Sequence, residues 1–221
     1  FGAGSGARPF ADGTDAVDMV PNSKNLPTEF IEQRFPIVVE RVGLSFGSAG
    51  AGLYRGGFGY LKDIRILVDG YFMSTAERTG FGPWGVNGGK AGLPGGLTIN
   101  PGTPQEKKVR FRREATAVSA GDIVRITTPG GGGFGDPLER DVSSVRLDSL
   151  RRLISVENAA EDYGVILVEH SGDVVDYEVD VGETNALREK LRNERKQIKL
   201  IDRGKYAEEC RASGKISFAE S

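Results

Sequence analysis

The sequence predicts an α+β fold: a Gly/Pro-rich, mainly β region over residues 1–137, then a mainly helical C-terminal region over 138–221 with a short strand pair. Three observations carry this prediction. All ten prolines and 27 of the 32 glycines lie at or before Pro137. Beyond Pro137 the apolar spacing becomes helical. Between them, residues 107–141 read KKVRFRREATAVSAGDIVRITTPGGGGFGDPLERD. There, two strand-like runs lead into Pro129, four glycines, Phe134, Gly135 and Asp136-Pro137. A flexible linker sits between polar flanks, whereas this stretch is bracketed by a β-branched strand and Asp-Pro, which marks a shaped loop at a sheet end.

In chain order, strands are expected at Ile37 to Leu44, Gly59 to Val68, Tyr71 to Ala76, Lys107 to Phe111 and Ile123 to Thr128, each bounded by Gly, Pro or Asn turns. In Asp63 to Val68 alternation gives way to a continuous apolar end, which suggests burial on both faces. After Pro137, Leu147, Leu150 and Ile154 fall at helical spacing, with Asp141 or Ser143 as N-cap. Ser155 can cap the next helix, with Glu157 in its first turn and Gly164 beyond its end. Val165 to Val168 reads as a short strand and Asp173 to Val181 as a second with one wet face. From Glu183 to about Asp202 a long helix is expected to carry Leu187, Leu191, Ile198 and Ile201 on one stripe.

Composition excludes several classes. The formal net charge of −2 gives no chain-wide reason to bind nucleic acid or anionic membrane. No apolar run approaches the ~20 residues that span a bilayer. The start Phe-Gly-Ala-Gly-Ser-Gly has neither an initiator Met nor the regions of a signal peptide, so a longer gene product is expected. The single cysteine, Cys210, allows no intrachain disulfide, in keeping with a cytoplasmic protein. The single histidine, His170, rules out both a closed Cys/His zinc site and a two-histidine metal triad within this chain.

Each motif has a structural reading beside its functional one. Gly130, Gly132 and Gly135 satisfy G-x-G-x-x-G, but Asp136-Pro137 intervenes where a dinucleotide site needs a helix N-terminus, so Gly130, Gly132, Gly133, Phe134 and Gly135 read as a structural loop. Phe134 is expected to anchor that loop with a buried ring. Asp12, Asp15 and Asp18 recur at a spacing unlike calcium loops and read as turn or cap residues. The polar stretch Pro21 to Glu29 could hold turns through its Asn and Ser side chains or line a pocket. On the second reading Asn22, Asn25 and Arg55 face a substrate cavity or subunit seam, where Asn suits an amide and Arg grips a carboxylate. His170 reads as a solvated turn residue. The basic run Arg188 to Lys199 reads as a solvated helix face rather than a nucleic-acid contact.

Taken in order, several motifs resemble one family. They are Gly4-Ser5-Gly6-Ala7-Arg8-Pro9 with Asp12-Gly13, Asn22 to Glu29 leading into Arg34-Phe35-Pro36 and Glu40-Arg41, and Gly50-Ala51-Gly52 with Arg55-Gly56-Gly57. Pro83-Trp84-Gly85 with Gly88-Gly89, Asn100-Pro101-Gly102, and Pro129 through Pro137 complete the series. Together they resemble the C-terminal region of the hydantoinase B/oxoprolinase family, over residues 2 to 199; the ending beyond Lys199 is outside the resemblance.

The resemblance implies an ATP-dependent enzyme in which ATP is held by an A-type ATPase partner that phosphorylates a carbonyl. The B-type subunit then completes the opening of a cyclic amide such as a hydantoin, 5-oxoproline or a lactam. The equivalent subunit of a ketone carboxylase, of the acetone or acetophenone type, and a non-catalytic subunit-docking module are the alternatives. The implied partners are a small-molecule substrate, the A-type subunit, and the rest of the B-type subunit, with no nucleic acid or membrane. This segment is expected to bind no cofactor and to be inactive alone. ATP with Mg and a divalent metal are expected elsewhere in the complex, so no metal ligand and no catalytic residue is assigned to this chain, and both regions belong to one larger subunit.

Overall fold

A computed structural model describes residues 1–18, 25–74, 76, 78–109, 115–170, 175–195 and 197–215. Within them α1 (Thr28–Arg34) leads into β1 (Ile37–Ser45), followed by β2 (Gly59–Ile66), β3 (Gly70–Phe72), β4 (Gly85–Val86), β5 (Gly96–Ile99), β6 (Lys107–Val109), β7 (Thr116–Val118) and β8 (Ile123–Thr127). A 3-10 turn at Pro137–Glu139 precedes α2 (Val142–Leu150), α3 (Val156–Tyr163), β9 (Leu167–His170), β10 (Asp176–Val179), α4 (Val181–Glu194), β11 (Ile201–Asp202) and α5 (Lys205–Ala212). Mixed helices and antiparallel sheets make this an α+β chain, but helix and strand are not segregated. A helix precedes the first strand, and three short strands lie past Pro137.

The main sheet runs β1-β2-β8-β5-β6 with antiparallel neighbours. Successive side chains alternate faces, so cross-strand partners share one. Ile64 opposite Val124, Leu97 opposite Ile126 and Ile99 opposite Val124 build an apolar face, over which β3 and β7 lay Phe72 and Val118. On the other face Arg125 forks onto Asp63 with both contacts at 2.7 Å. A second core joins Val145 of α2, Ala159 and Tyr163 of α3, then Val165 and Leu167, to Ala51 of the glycine-rich region.

Helix ends follow local chemistry. Asp141 caps α2 by accepting from Ser144 N, Ser155 caps α3 by accepting from Asn158 N, and Asp180 caps α4 by accepting from Glu183 N. Gly164, at φ +61°, ends α3 in the left-handed conformation that glycine adopts without penalty. Where the structure departs from expectation, tertiary contacts decide. β2 stops at Ile66, and Leu67 and Val68 are exposed rather than buried on both faces. α4 ends at Glu194, because Arg195 is extended and points to Asp136, so Ile198 and Ile201 leave the stripe. Ile201 instead pairs with Val86 in β4, and the C-terminal tail returns to the glycine-rich region. His170 is exposed at the end of β9, its Nε2 3.1 Å from Glu178, not in a turn. The expected strand from Tyr71 keeps only Gly70–Phe72, while Phe111 and Asp173 lie outside the described residues.

The segment Gly130 to Gly135 runs through the middle of a bundle of extended, glycine-rich backbones. Gly130 N–H donates to Leu93 O at 3.1 Å, Gly131 N–H to Gly57 O at 2.8 Å and Gly133 N–H to Lys90 O at 2.9 Å. In return, Pro129 O accepts from Gly4, Gly131 O from Gly50, Gly132 O from Ala7 and Gly133 O from Val86. The bonds point in several directions, unlike those of a sheet. Such an approach leaves no room for side chains: a Cβ on Gly131 would stand 1.8 Å from Ser5 O, and one on Gly132 1.8 Å from Trp84 O. The surrounding glycines are equally close, since a Cβ on Gly4 would meet Gly57 O at 1.9 Å and one on Gly56 would meet Gly131 O at 2.0 Å. Phe134 is half-buried rather than the buried anchor expected of it; its backbone holds the loop, bridging Tyr54 on one side and Val86 on the other.

Gly131→Ala will therefore destabilise the fold by well over the ~1 kcal/mol typical of a strained glycine position, because the Ser5 carbonyl must move. Gly6→Ala, where nothing lies within 4 Å, will stay within about 0.5 kcal/mol of the parent. Urea melts of the two variants check this; equal effects would overturn the backbone-contact account.

Candidate functional site

The bundle brings four segments to one buried cluster of charge. Asp12 and Asp15 come from the N-terminal segment, Arg55 from the segment paired with Phe134, Arg140 from the end of the 3-10 turn, and Asp148 from α2. Arg140 forks onto Asp12 at 2.7 and 2.8 Å, and its Nη2 also donates to Asp148 at 3.0 Å. Arg55 donates through Nε to the same Asp148 oxygen at 3.3 Å, and through Nη1 to Asp15 and Gly56 O, each at 3.0 Å. Its guanidinium also lies 4.6 Å from the centre of the Phe58 ring. Asp12 further accepts from Arg55 N at 2.9 Å and Asp15 from Phe58 N at 2.8 Å. Tyr163 completes the cluster, with Arg140 5.9 Å from its ring centre.

Burial sets the electrostatics. It pushes the Asp12 carboxyl up, but the hydrogen bonds and charge of Arg140, with the Arg55 N–H, outweigh it and hold the group below the usual carboxylate range. Burial pushes the Tyr163 phenol well above its ordinary value, so it stays protonated. Asp148, shared by two guanidiniums and 5% exposed, is closed to solvent and substrate. The cluster is a clamp, not an acid–base pair at an open surface.

These positions revise several expectations. Arg55, expected to face a cavity or seam, is 7% exposed and held inside the chain by Asp15 and Asp148. Asp12 and Asp15, read as turn and cap residues, are ion-pair partners of the two arginines. Asn25 is exposed just ahead of α1, and Asn22 lies outside the described residues. The amides of Gly130, Gly131, Gly133, Phe134 and Gly135, which a phosphate would need, all donate to carbonyls of the chain itself. The basic face of α4 is not simply solvated: Arg188 donates to Tyr163 O and Arg140 O, Arg192 pairs with Glu139, and Arg195 pairs with Asp136. No spacing rule links Asp12, Arg55, Arg140 and Asp148, so the cluster has no sequence signal.

A cleft of about 360 Å³ opens beside the bundle, with Lys90, Asp136, Asp162, Arg195 and Asp202 among its lining residues. Lys90 pairs with Asp162 at 2.5 Å, and Asp202 accepts from Ala91 N at 2.8 Å. Burial pushes Asp136 up, but Arg195 and the Leu138 N–H more than reverse it. Among the described residues no group of three or more His, Cys, Asp or Glu is placed to hold a metal ion.

Arg140→Met will cost about 3 kcal/mol, since it removes the guanidinium from Asp12 and leaves buried Asp148 with Arg55 alone. Arg140→Lys will recover only part, because an ammonium cannot replace the two-pronged contact to Asp12. Denaturant titration measures both. Because the folded-state values of Asp12 and Asp136 are depressed, their stabilisation is fully present above the unfolded value of 3.8 and is lost as pH falls through the lower folded values. Unfolding free energy measured from pH 6 downward will therefore begin to drop near about pH 4 and steepen below it, and Arg140→Met will flatten that limb.

Comparison with known proteins supplies the context for this geometry. The family model described as hydantoinase B/oxoprolinase matches residues 1–137. An uncharacterized protein of Methanocaldococcus jannaschii is 40% identical over 166 residues, which is 74% of this chain and 28% of that protein. A putative B-type subunit of a D-/L-hydantoinase from a Pseudomonas species is 34% identical over 185 residues, 83% of this chain and 30% of the relative. The crystal structure of an ATP-dependent caprolactamase from Pseudomonas jessenii superposes with a TM-score of 0.69 at 26% identity, covering 85% of this chain and 32% of that one. A nucleotide-free acetone carboxylase shares the fold at a TM-score of 0.69 and 22% identity, over 97% of this chain and 32% of the other. The chain thus spans less than a third of the length of these relatives. With the glycine-rich motifs and the family match both falling on residues 1–137, the chain belongs to the hydantoinase B/oxoprolinase family.

Proposed function

We propose that this chain is the C-terminal segment of the B-type subunit of a cytoplasmic, ATP-dependent hydrolase that opens cyclic amides. On this reading an ATP-binding A-type subunit phosphorylates the amide oxygen, and the B-type subunit delivers the product of ring opening. The observation that carries it is the likeness to the ATP-dependent caprolactamase at 26% identity over 85% of the chain, alongside a relative named as a hydantoinase subunit. The acetone carboxylase likeness, at 22% identity, speaks for the fold alone. Phosphoryl transfer relies on positioning and on Mg²⁺ to neutralise developing charge. Among the described residues no group of three or more His, Cys, Asp or Glu is placed to hold a metal ion, and Asp12 and Asp148 are tied to arginines. ATP with its Mg²⁺ and the divalent metal therefore belong to the rest of the assembly in this proposal. The contribution of the present chain is a rigid platform, with exposed Asn25 at the subunit seam.

The test is the purified assembly, recovered through a tag on this chain and offered hydantoin, 5-oxoproline and a lactam in turn. Phosphate release and ring-opened product are followed for each. One cyclic amide will raise ATP hydrolysis well above background, and this chain alone will show none with any substrate. Turnover of ATP by the chain free of partners, or ketone consumption that requires bicarbonate in place of amide opening, would overturn the reading.

A further inference from the structure

The apolar face of the main sheet is only partly covered. Beyond Phe72 it opens into a groove of about 700 Å³ lined by Ile64 and Ile126 of the sheet, Phe72 and Met73, and Phe1 and Pro129. Met73 is 66% exposed and Phe1 53%, so large apolar side chains stand in water at its rim. An apolar cavity of this size suits either a small molecule or a polypeptide segment, and the polar groups decide between them. A small-molecule pocket needs a few convergent polar groups to orient its ligand. Here Thr128 Oγ1 already donates to Gly2 O and accepts from Tyr60 N, both at 2.7 Å, and Thr127 Oγ1 donates to Gly96 O at 3.3 Å.

Charge adds a second constraint. Arg78 is the one charged side chain among the described lining residues. Behind Phe1 sits Lys62, the cross-strand partner of Ile126, 5% exposed, with its ammonium 5.4 Å from the centre of the Phe1 ring. Burial lowers its pKa, with Glu32 opposing from a distance. Among the described residues that ammonium has a ring contact and no ion-pair carboxylate, so it offers a cation to an incoming acid. The relatives supply such an occupant, because more than two thirds of each lies outside the region this chain matches.

We propose that the groove seats an apolar segment of the B-type polypeptide outside the matched third, and that this segment brings a carboxylate to Lys62 and Arg78. This rests on the reading of the chain as part of a B-type subunit, whether the remaining polypeptide is continuous with it or separate. The competing occupants are the A-type subunit, a small molecule and a second copy.

The experiment places a photo-reactive residue at Met73, and separately at exposed Val168 on β9 as a control, in the tagged assembly. Adducts at Met73 will map to one apolar, acid-bearing segment of a hydantoinase B-family polypeptide outside residues 1–221, and those at Val168 will not. Amide exchange over 70–74 will slow by about tenfold or more in the assembly relative to the isolated chain. Met73→Asp, at an exposed position, will abolish that slowing while leaving the melting temperature of the isolated chain unchanged. Adducts to a second copy or an ATPase subunit, a small molecule retained in the groove, or no adduct at all would overturn the groove assignment. If the B-type polypeptide is still present in the assembly, that result leaves the functional reading standing. An assembly with no B-type polypeptide overturns both.

Discussion

Direct contact between backbones is the constraint on which the rest of this structure depends. Around Gly130 to Gly133 the neighbouring carbonyls stand where Cβ atoms would be, so glycine is required by space and not merely by flexibility. Gly135, further along the run, needs its left-handed backbone, at φ +76°. Glycine loses more conformational freedom on folding than any other residue, and a bundle of glycines contributes almost no apolar side-chain burial in return. Hydrogen bonds in several directions offset part of that loss, but a typical one adds only about 1 kcal/mol net. The remaining stabilisation must come from the perimeter of the bundle, where two apolar clusters and the arginine–aspartate clamp are found.

The clamp explains how a bundle of interchangeable-looking glycine segments holds one arrangement. A buried ion network is weak evidence for stability, because desolvation consumes much of its Coulomb energy. Its value here is registry. Arg140 meets Asp12 and Asp148 only if the N-terminal segment, the turn after the glycine run and α2 are all in place. Arg55 sets the same condition for the segment carrying Tyr54, which bridges Phe134. A one-residue slip of any glycine strand would strand a charge in the interior. The same logic extends to the C-terminal region, where Arg188 and Arg195 of the α4 end bind the turn at 136–140 from the other side.

Local signals were legible in the sequence and long-range ones were not. Asp141, Ser155 and Gly164 mark helix ends through contacts within a few residues, and each does so in the structure. β1, β2 and β8 carry enough β-branched residues to be seen, although the end of β2 depends on what covers Leu67 and Val68. β5 was missed: Gly96-Leu97-Thr98-Ile99 is too short to show a period, yet it lies between β8 and β6. α1, seven residues between Pro27 and Pro36 with none buried, was hidden in a stretch whose polarity suggested a loop. The tail past Lys199 looked unrelated because β11 and α5 make sense only against β4 and Phe81, far back in the chain. The candidate site shows the same division. The glycine run was recognisable as a shaped loop, whereas the role of Arg55 depends on Asp15 and Asp148, 40 and 93 residues away.

The functional argument follows from what the charged groups are already doing. A catalytic acid, base or metal ligand needs a free lone pair or proton facing the substrate. Asp12, Asp15, Asp63, Asp136, Asp148 and Asp162 each face an arginine or lysine of this chain, and five amides of the glycine loop face its carbonyls. Such saturation makes a poor reaction centre and a good platform, because a site held by rigid neighbours keeps its geometry better than one on mobile loops. The open feature lies elsewhere, in the apolar face at Ile64 and Ile126. A chain that pairs these acids within itself while leaving part of its sheet face bare leaves that face for another surface. The relatives are more than three times the matched length, and on the proposal above that surface is the rest of the B-type polypeptide.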